Sequence, residues 1–339
     1  RRRKMENLVN SSPLILVLVF LVIGFAFLMK GADFFVEGSS SIAKRLKVPP
    51  IIIGLTIVAM GTSLPETAVS VTASLVNNNE LAVSNVVGSN IFNLMVVVGV
   101  CSILTPILVQ KETIKRDIPF SMICAFLLLG LGILAVGDKS GMTLGHLDGM
   151  ILLGFFAGYI VAMIQSAMKA RAAGKNVEIE GIEELEEEIG ILSWPKSILF
   201  IVGGALAIAF GGDLTVDAAS RIAIDLGMSQ TLVGLTIVSI GTSLPELVTS
   251  VVAARKNEVD MAVGNAVGSN IFNILMVLGI ASAINPVALI RENIIDIVIL
   301  IVFSLIVWIY AATKRKISRK EGISMVCLYL IYAGYIIWR

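Results

Sequence analysis

Two glutamates, Glu66 and Glu246, stand inside long apolar stretches, and each closes the same hexapeptide: Gly61-Thr62-Ser63-Leu64-Pro65-Glu66 and Gly241-Thr242-Ser243-Leu244-Pro245-Glu246. A carboxylate at the centre of a membrane span costs about 2.5–3.5 kcal/mol on insertion scales, so each marks a functional site by default. Here the cost is met twice, at equivalent positions. Pro65 and Pro245 lack the amide hydrogen that would bond the carbonyls of Gly61 and Gly241, so each helix is expected to break just there. Irregular backbone at membrane depth is tolerated where it lines a cavity, and freed carbonyls, with those of Ala59 and Ser239 as candidates, then offer oxygen to hard cations. The hydroxyls of Thr62, Ser63, Thr242 and Ser243 add neutral oxygens. Calcium asks for about six to eight oxygen ligands at about 2.3–2.6 Å, which this set can supply. Magnesium suits it less, because it keeps its waters. A transition metal does not fit: His146 is the sole histidine, and Cys101, Cys124 and Cys327 are dispersed in apolar stretches without His neighbours.

A second repeated motif extends the site. Val86-Val87-Gly88-Ser89-Asn90-Ile91-Phe92-Asn93 returns as Ala266-Val267-Gly268-Ser269-Asn270-Ile271-Phe272-Asn273, displaced by the same 180 residues that separate the two glutamates. Asn93 and Asn273 place amide oxygens without charge in highly apolar spans, and Ser89 and Ser269 lie one helical turn earlier on the same face. Asn90 and Asn270 serve equally well as bridges between helices. The displacement holds without a gap from Gly31 through Pro106, which pairs with Pro286. Asp33, Glu37, Asp213 and Asp217 fall at span ends, where they suit an aqueous vestibule or a pairing role.

Stepping outward to the elements that must carry these residues, 56% of the 339 residues are hydrophobic and 15% are charged, with a mean hydropathy of +0.91. A soluble fold would expose too much of that surface. A bilayer core takes about 20 apolar residues per helix. Such runs lie near 13–30, 48–75, 82–105, 117–136 and 145–168, then near 196–216, 228–254, 262–285, 293–313 and 323–337. The expected fold is therefore an all-α membrane protein of ten transmembrane helices, with helices 2 and 7, and with them 3 and 8, broken at the midplane. Residues 1–168 form one five-helix half, 169–195 a connecting loop and 196–339 the other half. Five spans is an odd number, so the second copy must cross in the opposite sense. The charges agree: Lys44, Arg45 and Lys47 of the first copy become Ile224, Asp225 and Gly227 in the second, while Val76 and Asn77 become Lys256 and Asn257. Two inverted repeats, with a site at the midplane between them, is an architecture of secondary transporters.

Lys and Arg collect on one set of alternate loops, which sets a cell-membrane orientation with both termini outside and the central loop in the cytoplasm. Arg1 to Lys4 dissent from it. The central loop carries Glu178, Glu180, Glu183, Glu184 and Glu186 to Glu188, with Ile179, Ile182, Leu185 and Ile189 at helical spacing, so it reads as a short amphipathic helix with a solvated acidic face.

Residues 54–99 and 234–279 resemble the two alpha repeats of the calcium/cation antiporter superfamily, in its sodium/calcium exchanger branch. The doubled GTSLPE and GSNIFN motifs carry the resemblance. It implies a prokaryotic-type exchanger with a midplane site where one calcium competes with several sodium ions. By position, the calcium site would be Glu66, Glu246, Thr62 and Thr242. Flanking sodium sites would use Ser63, Ser243, Ser89, Ser269 and the Ala59 and Ser239 carbonyls, and Asn93 and Asn273 match the remaining polar positions. Some relatives, including the potassium-dependent branch, carry Asp where this chain has Asn273, so the resemblance implies transport independent of potassium.

The implied activity is electrogenic exchange of sodium for calcium by alternating access, with the ions and the bilayer as partners and no obligatory protein partner. Protons could also neutralise the glutamates, which leaves a proton/calcium exchanger as the alternative and a cation channel as a remoter one. The net charge of +1, with basic residues scattered, gives no reason to expect nucleic acid. Enzymatic chemistry is not expected, since Ser63 and Ser243 have no His or Lys base nearby, and neither is a resident cofactor.

Overall fold

The computed structural model describes residues 9, 11–75, 79–134, 142–172, 191–228, 237 and 239–338. Arg1 to Lys4 and the acidic stretch of the central loop lie outside them. Eight single helices are long and apolar enough to cross a bilayer: α1 (Leu14–Leu46), α4 (Ala82–Leu104), α5 (Thr113–Ile133), α6 (His146–Ala172), α7 (Trp194–Asp225), α9 (Val259–Ile284), α10 (Arg291–Ala312) and α11 (Arg319–Trp338). A ninth candidate is the pair α2 (Pro50–Thr62) and α3 (Leu64–Leu75), bent by 49° at Ser63. In the expected span over 228–254, the described part is a turn at Ser239–Gly241 followed by α8 (Leu244–Arg255).

Three features depart from the hydropathy reading. α1 and α7 run to 33 and 32 residues, about 50 Å each at 1.5 Å per residue, far past the apolar windows near 13–30 and 196–216. Their second halves are small and polar, and residues such as Ser39, Ser40 and Ser41 are buried against protein, where a hydropathy window registers nothing. Helices 3 and 8, expected to break, are continuous as α4 and α9. Neither holds a proline; each instead opens a π-helical stretch at its second motif asparagine, Asn93–Val97 and Asn273–Leu278, an insertion that widens the turn without ending the helix. Finally, two-residue strands clasp connecting segments: β1 (Ile107–Leu108) pairs antiparallel with β4 (Lys316–Ile317), and β2 (Thr143–Leu144) with β3 (Val287–Ala288).

α4 and α9 form the buried centre. α1 and α7 pack along each other at one side through backbone. A Cβ on Gly24 would meet the Gly211 carbonyl and Thr215, one on Gly31 the Gly204 carbonyl and Ile208, and one on Gly38 the Ser197 carbonyl. As α1 advances α7 recedes, so the first helices of the two halves run antiparallel. Small residues let helices in lipid approach this closely, where dispersion and backbone contacts hold them.

Neighbouring glycines on α7 give a direct test. A methyl group at Gly204 would sit 2.7 Å from the Gly31 carbonyl oxygen and 2.8 Å from the Phe35 nitrogen, whereas one at Gly203 meets nothing within 4 Å. Gly204→Ala is expected to destabilise by about 1–3 kcal/mol through overpacking. Gly203→Ala is expected to be neutral or to stabilise by up to about 1 kcal/mol. Unfolding of both variants in detergent, followed by intrinsic fluorescence, measures the contrast.

Candidate functional site

The bend between α2 and α3 creates a helix N-terminus inside the molecule, and Glu66 occupies its first turn. Glu246 has the same place in α8, after Ser243 at φ −94°, ψ 4°. Exposed amides at a helix start carry partial positive charge, which favours a carboxylate there. Pro65 and Pro245 fit in that first turn because a missing N–H costs nothing at a helix start. Thus the prolines supply the break, and the break supplies a favourable end for the buried acid.

Glu66 and Glu246 are fully buried. Each takes one hydroxyl from its own half and one from the other. Ser89 Oγ donates to Glu66 Oε1 at 3.4 Å and Ser243 Oγ at 3.3 Å; Ser269 Oγ donates to Glu246 Oε1 at 3.4 Å and Ser63 Oγ at 3.3 Å. The two acids therefore face one another across a shared serine cluster and neither points at lipid.

The asparagines form a second reciprocal layer. Asn90 Nδ2 donates to the Asn270 carbonyl and Asn270 Nδ2 to the Asn90 carbonyl, both at 3.1 Å. Asn93 Nδ2 reaches Asn270 Oδ1 at 3.1 Å, and Asn273 Nδ2 reaches Asn90 Oδ1 at 3.0 Å. Asn90 and Asn270 thus take the bridging role between α4 and α9, and fix Asn93 and Asn273 by their nitrogens. What this leaves is chemically uniform: Glu66 Oε2, Glu246 Oε2, Asn93 Oδ1 and Asn273 Oδ1 are all buried acceptors without a hydrogen-bond partner. A buried unsatisfied group costs about 1–3 kcal/mol. A cation satisfies several such acceptors at once.

Thr62 Oγ1 reaches Asn265 Oδ1 at 3.0 Å, and Thr242 Oγ1 reaches Asn85 Oδ1 at 3.3 Å. The Ala59 carbonyl accepts the Ser63 amide at 3.0 Å, which leaves one of its two lone pairs. Ser239 opens its short turn, and its side chain lies outside the described residues. Asp33 has the pairing role, with Lys256 Nζ at 3.3 Å and Lys30 Nζ at 3.8 Å. Asp213 lines a crevice with Pro65, Gly241, Thr242 and Pro245. Among the described residues no three His, Cys, Asp or Glu side chains converge, so the available donors are two carboxylates and neutral oxygens.

Four polar residues of this layer escaped the motif reading: Asn85 and Asn265, with Ser70 and Ser250. Asn85 Nδ2 donates to Ser70 Oγ at 3.1 Å and Asn265 Nδ2 to Ser250 Oγ at 2.9 Å. The signal was in the sequence, since both pairs obey the 180-residue displacement and the asparagines immediately precede the second motif.

A multi-helix apolar fold that buries two opposed acids and a set of acceptor-only oxygens defines a membrane protein whose polar centre is chemically suited to a cation. Comparison with known proteins narrows the class. A family model described as sodium/calcium exchanger protein matches residues 16–165 and 196–338, so the chain belongs to that family. It is 33% identical over 338 residues to the sodium/calcium exchanger MaX1 of Methanosarcina acetivorans, covering 93% of this chain and 96% of that one. It is 31% identical to the inner membrane protein YrbG of Escherichia coli, covering 96% of each. The solved structure of the sodium-calcium exchanger NCX_Mj soaked with Na+ and Sr2+ superimposes with a TM-score of 0.80 at 31% identity, covering 95% of this chain and 99% of that one.

Reciprocal bridging makes a specific stability prediction. Asn90→Ala removes a donor to the Asn270 carbonyl and the acceptor of Asn273 Nδ2, so it is expected to cost about 2–4 kcal/mol. Asn270→Ala, which severs the mirror-related pair of bonds, should cost the same within about 0.5 kcal/mol. Paired unfolding curves in detergent check both the size and the equality.

Proposed function

We propose that this protein exchanges Na+ for Ca2+ across the cell membrane by alternating access, with Glu66 and Glu246 as the shared centre of the transport site. The observation that carries the proposal is the set of four buried acceptors, two of them carboxylates, that have no donor. Thr62 and Thr242 complete the calcium ligands. Ser63, Ser243, Ser89, Ser269 and the Ala59 and Ser239 carbonyls serve flanking sodium ions, and Asn93 and Asn273 serve the midplane. The relatives named as exchangers support the choice of ions.

Antiparallel packing of α1 on α7 and the crossed hydrogen bonds between copies support two inverted five-span repeats, ten spans in all, related by a two-fold axis lying in the membrane plane. In that arrangement residues 1–168 and 196–339 are the halves, both termini lie outside, and the loop at 169–195 is cytoplasmic.

The chemistry follows from charge. Without a cation the two carboxylates repel, and closing water out of the site raises the penalty. One Ca2+ cancels the pair, and two Na+ do the same, so loaded forms can occlude and reorient. A further Na+ on neutral oxygens makes exchange electrogenic. With an amide at Asn273, the site lacks a third carboxylate that would hold an additional monovalent ion, which favours independence from K+.

Calcium uptake into proteoliposomes under an imposed Na+ gradient, with K+ present and absent, tests the proposal. Uptake is expected to require Na+ inside and to ignore K+. Glu66→Gln and Glu246→Gln should each reduce it at least tenfold. Uptake driven by a pH gradient without Na+ would select a proton/calcium exchanger, and flux uncoupled from any counter-ion would select a channel.

A further inference from the structure

We infer that Asn265, and by the same internal relation Asn85, is a positioning residue that turns a threonine hydroxyl so that its lone pairs, not its proton, face the transported cation. The inference rests on the reading of the Glu66–Glu246 site as a cation-transport site.

Thr62 has one proton and five acceptors within reach, one of them the Glu246 carboxylate. Asn265 Oδ1 lies at 3.0 Å, the Val58 carbonyl at 3.2 Å, and the Ala59 carbonyl and Ser269 Oγ at 3.4 Å. Where the proton goes decides whether Thr62 is a ligand. The amide of Asn265 settles it, because its orientation is fixed from the far side. Its nitrogen approaches Ser250 Oγ at 2.9 Å and the Glu246 main-chain carbonyl at 3.4 Å. A carbonyl oxygen only accepts, so the NH2 group must be on that side, and Oδ1 is left facing Thr62. That oxygen also only accepts, so in the 3.0 Å contact between them, shorter than those to Val58, Ala59 and Ser269, Thr62 is the donor. The threonine oxygen then keeps its lone pairs for the cation, and the Ala59 carbonyl keeps the one that the Ser63 amide does not use.

The amide therefore acts through the threonine, and its nitrogen ties it to the same residue whose carboxylate is the acid of the site. Asn85 repeats the design on the other half, with Thr242 donating at 3.3 Å and Ser70 accepting at 3.1 Å. Among the described residues no bond from Asn85 to a main-chain carbonyl corresponds to that of Asn265, so the Thr62 side carries the sharper test. Without the amide, the Thr62 proton turns to the Val58 or Ala59 carbonyl, Ser269 or the Glu246 carboxylate, and on the last three it takes an oxygen away from the ion.

The experiment is a double-mutant cycle on the full chain: wild type, Asn265→Leu, Thr62→Val and the double variant. Calcium affinity is read by calorimetry in detergent, and KM and maximal rate by Na+-driven uptake in proteoliposomes. Asn265→Leu is expected to raise the calcium dissociation constant and KM about tenfold, the scale of one lost ligand hydrogen bond, with maximal rate within about twofold. The double variant should be no weaker than Thr62→Val alone, since the asparagine then has nothing to orient. On a Thr62→Ser background, which restores the hydroxyl, the tenfold effect should return. Unfolding without calcium checks each protein's fold, and Asn265→Ala takes the place of Asn265→Leu where leucine is not accommodated. Additive losses in the cycle, or unchanged affinity with a reduced maximal rate, would overturn the inference. Calcium binding by a wild type that shows no Na+-driven uptake would instead overturn the exchange reading, while the calorimetric cycle still decides the role of Asn265.

Discussion

Two carboxylates buried against each other are the constraint to which the rest of the molecule answers. At about 5 Å and an effective dielectric of about 20, a pair of unit charges repels by about 3 kcal/mol, and each also forfeits hydration. The fold offsets part of this locally. Each acid sits in the first turn of a helix that starts inside the protein, and each accepts two serine hydroxyls. All of those serine contacts go to Oε1, and Oε2 of both acids is left over. The protein thus holds the acids in place by one oxygen each and leaves the other without a donor, which is where the proposed transport site would take its cation.

Around that centre, α1 and α7 touch the motif turns from outside. Phe35 of α1 lies over Gly61, and Val216 of α7 over Gly241, so closely that a Cβ on either glycine would collide with the overlying side chain. The two sides are not equivalent. Thr62 is 0% exposed and Thr242 is 7% exposed, and the crevice lined by Pro65, Asp213, Thr242 and Pro245 runs along the second. The helices that cover the turns meet each other through glycine backbone and through the Phe27–Phe210 and Phe34–Phe200 ring pairs.

Much of this was legible in the chain. The doubled hexapeptide located the acids, the prolines located the bends, and the 180-residue displacement carried the pairing of asparagines across the molecule. The misreadings share a physical cause. A hydropathy window senses lipid contact, so it lost the second halves of α1 and α7, where Ser39 to Ser41 are buried against protein. The expected breaks in helices 3 and 8 are absent, because hydrogen bonds between α4 and α9 satisfy Asn90 and Asn270 inside continuous helices. The β clasps join segments far apart in sequence, and two-residue strands leave no periodicity to detect. Asn85 and Asn265 lay one residue before a recognised motif. Their importance depends on which threonine they meet in the opposite half, which no local pattern contains.

The crossed contacts have a consequence for how such a site works as a unit. Ser243 serves Glu66 and Ser63 serves Glu246, while Asn265 directs Thr62 and Asn85 accepts from Thr242. Neither half supplies all the hydroxyls that its own acid accepts, so every movement of one half relative to the other alters the surroundings of both acids together. In the proposed exchanger, a cation bound between them bridges the halves as well as neutralising the charge. Ion occupancy and the relation between the halves are then one variable, and the same physical quantity, uncompensated negative charge at the interface, opposes both an empty site and its closure.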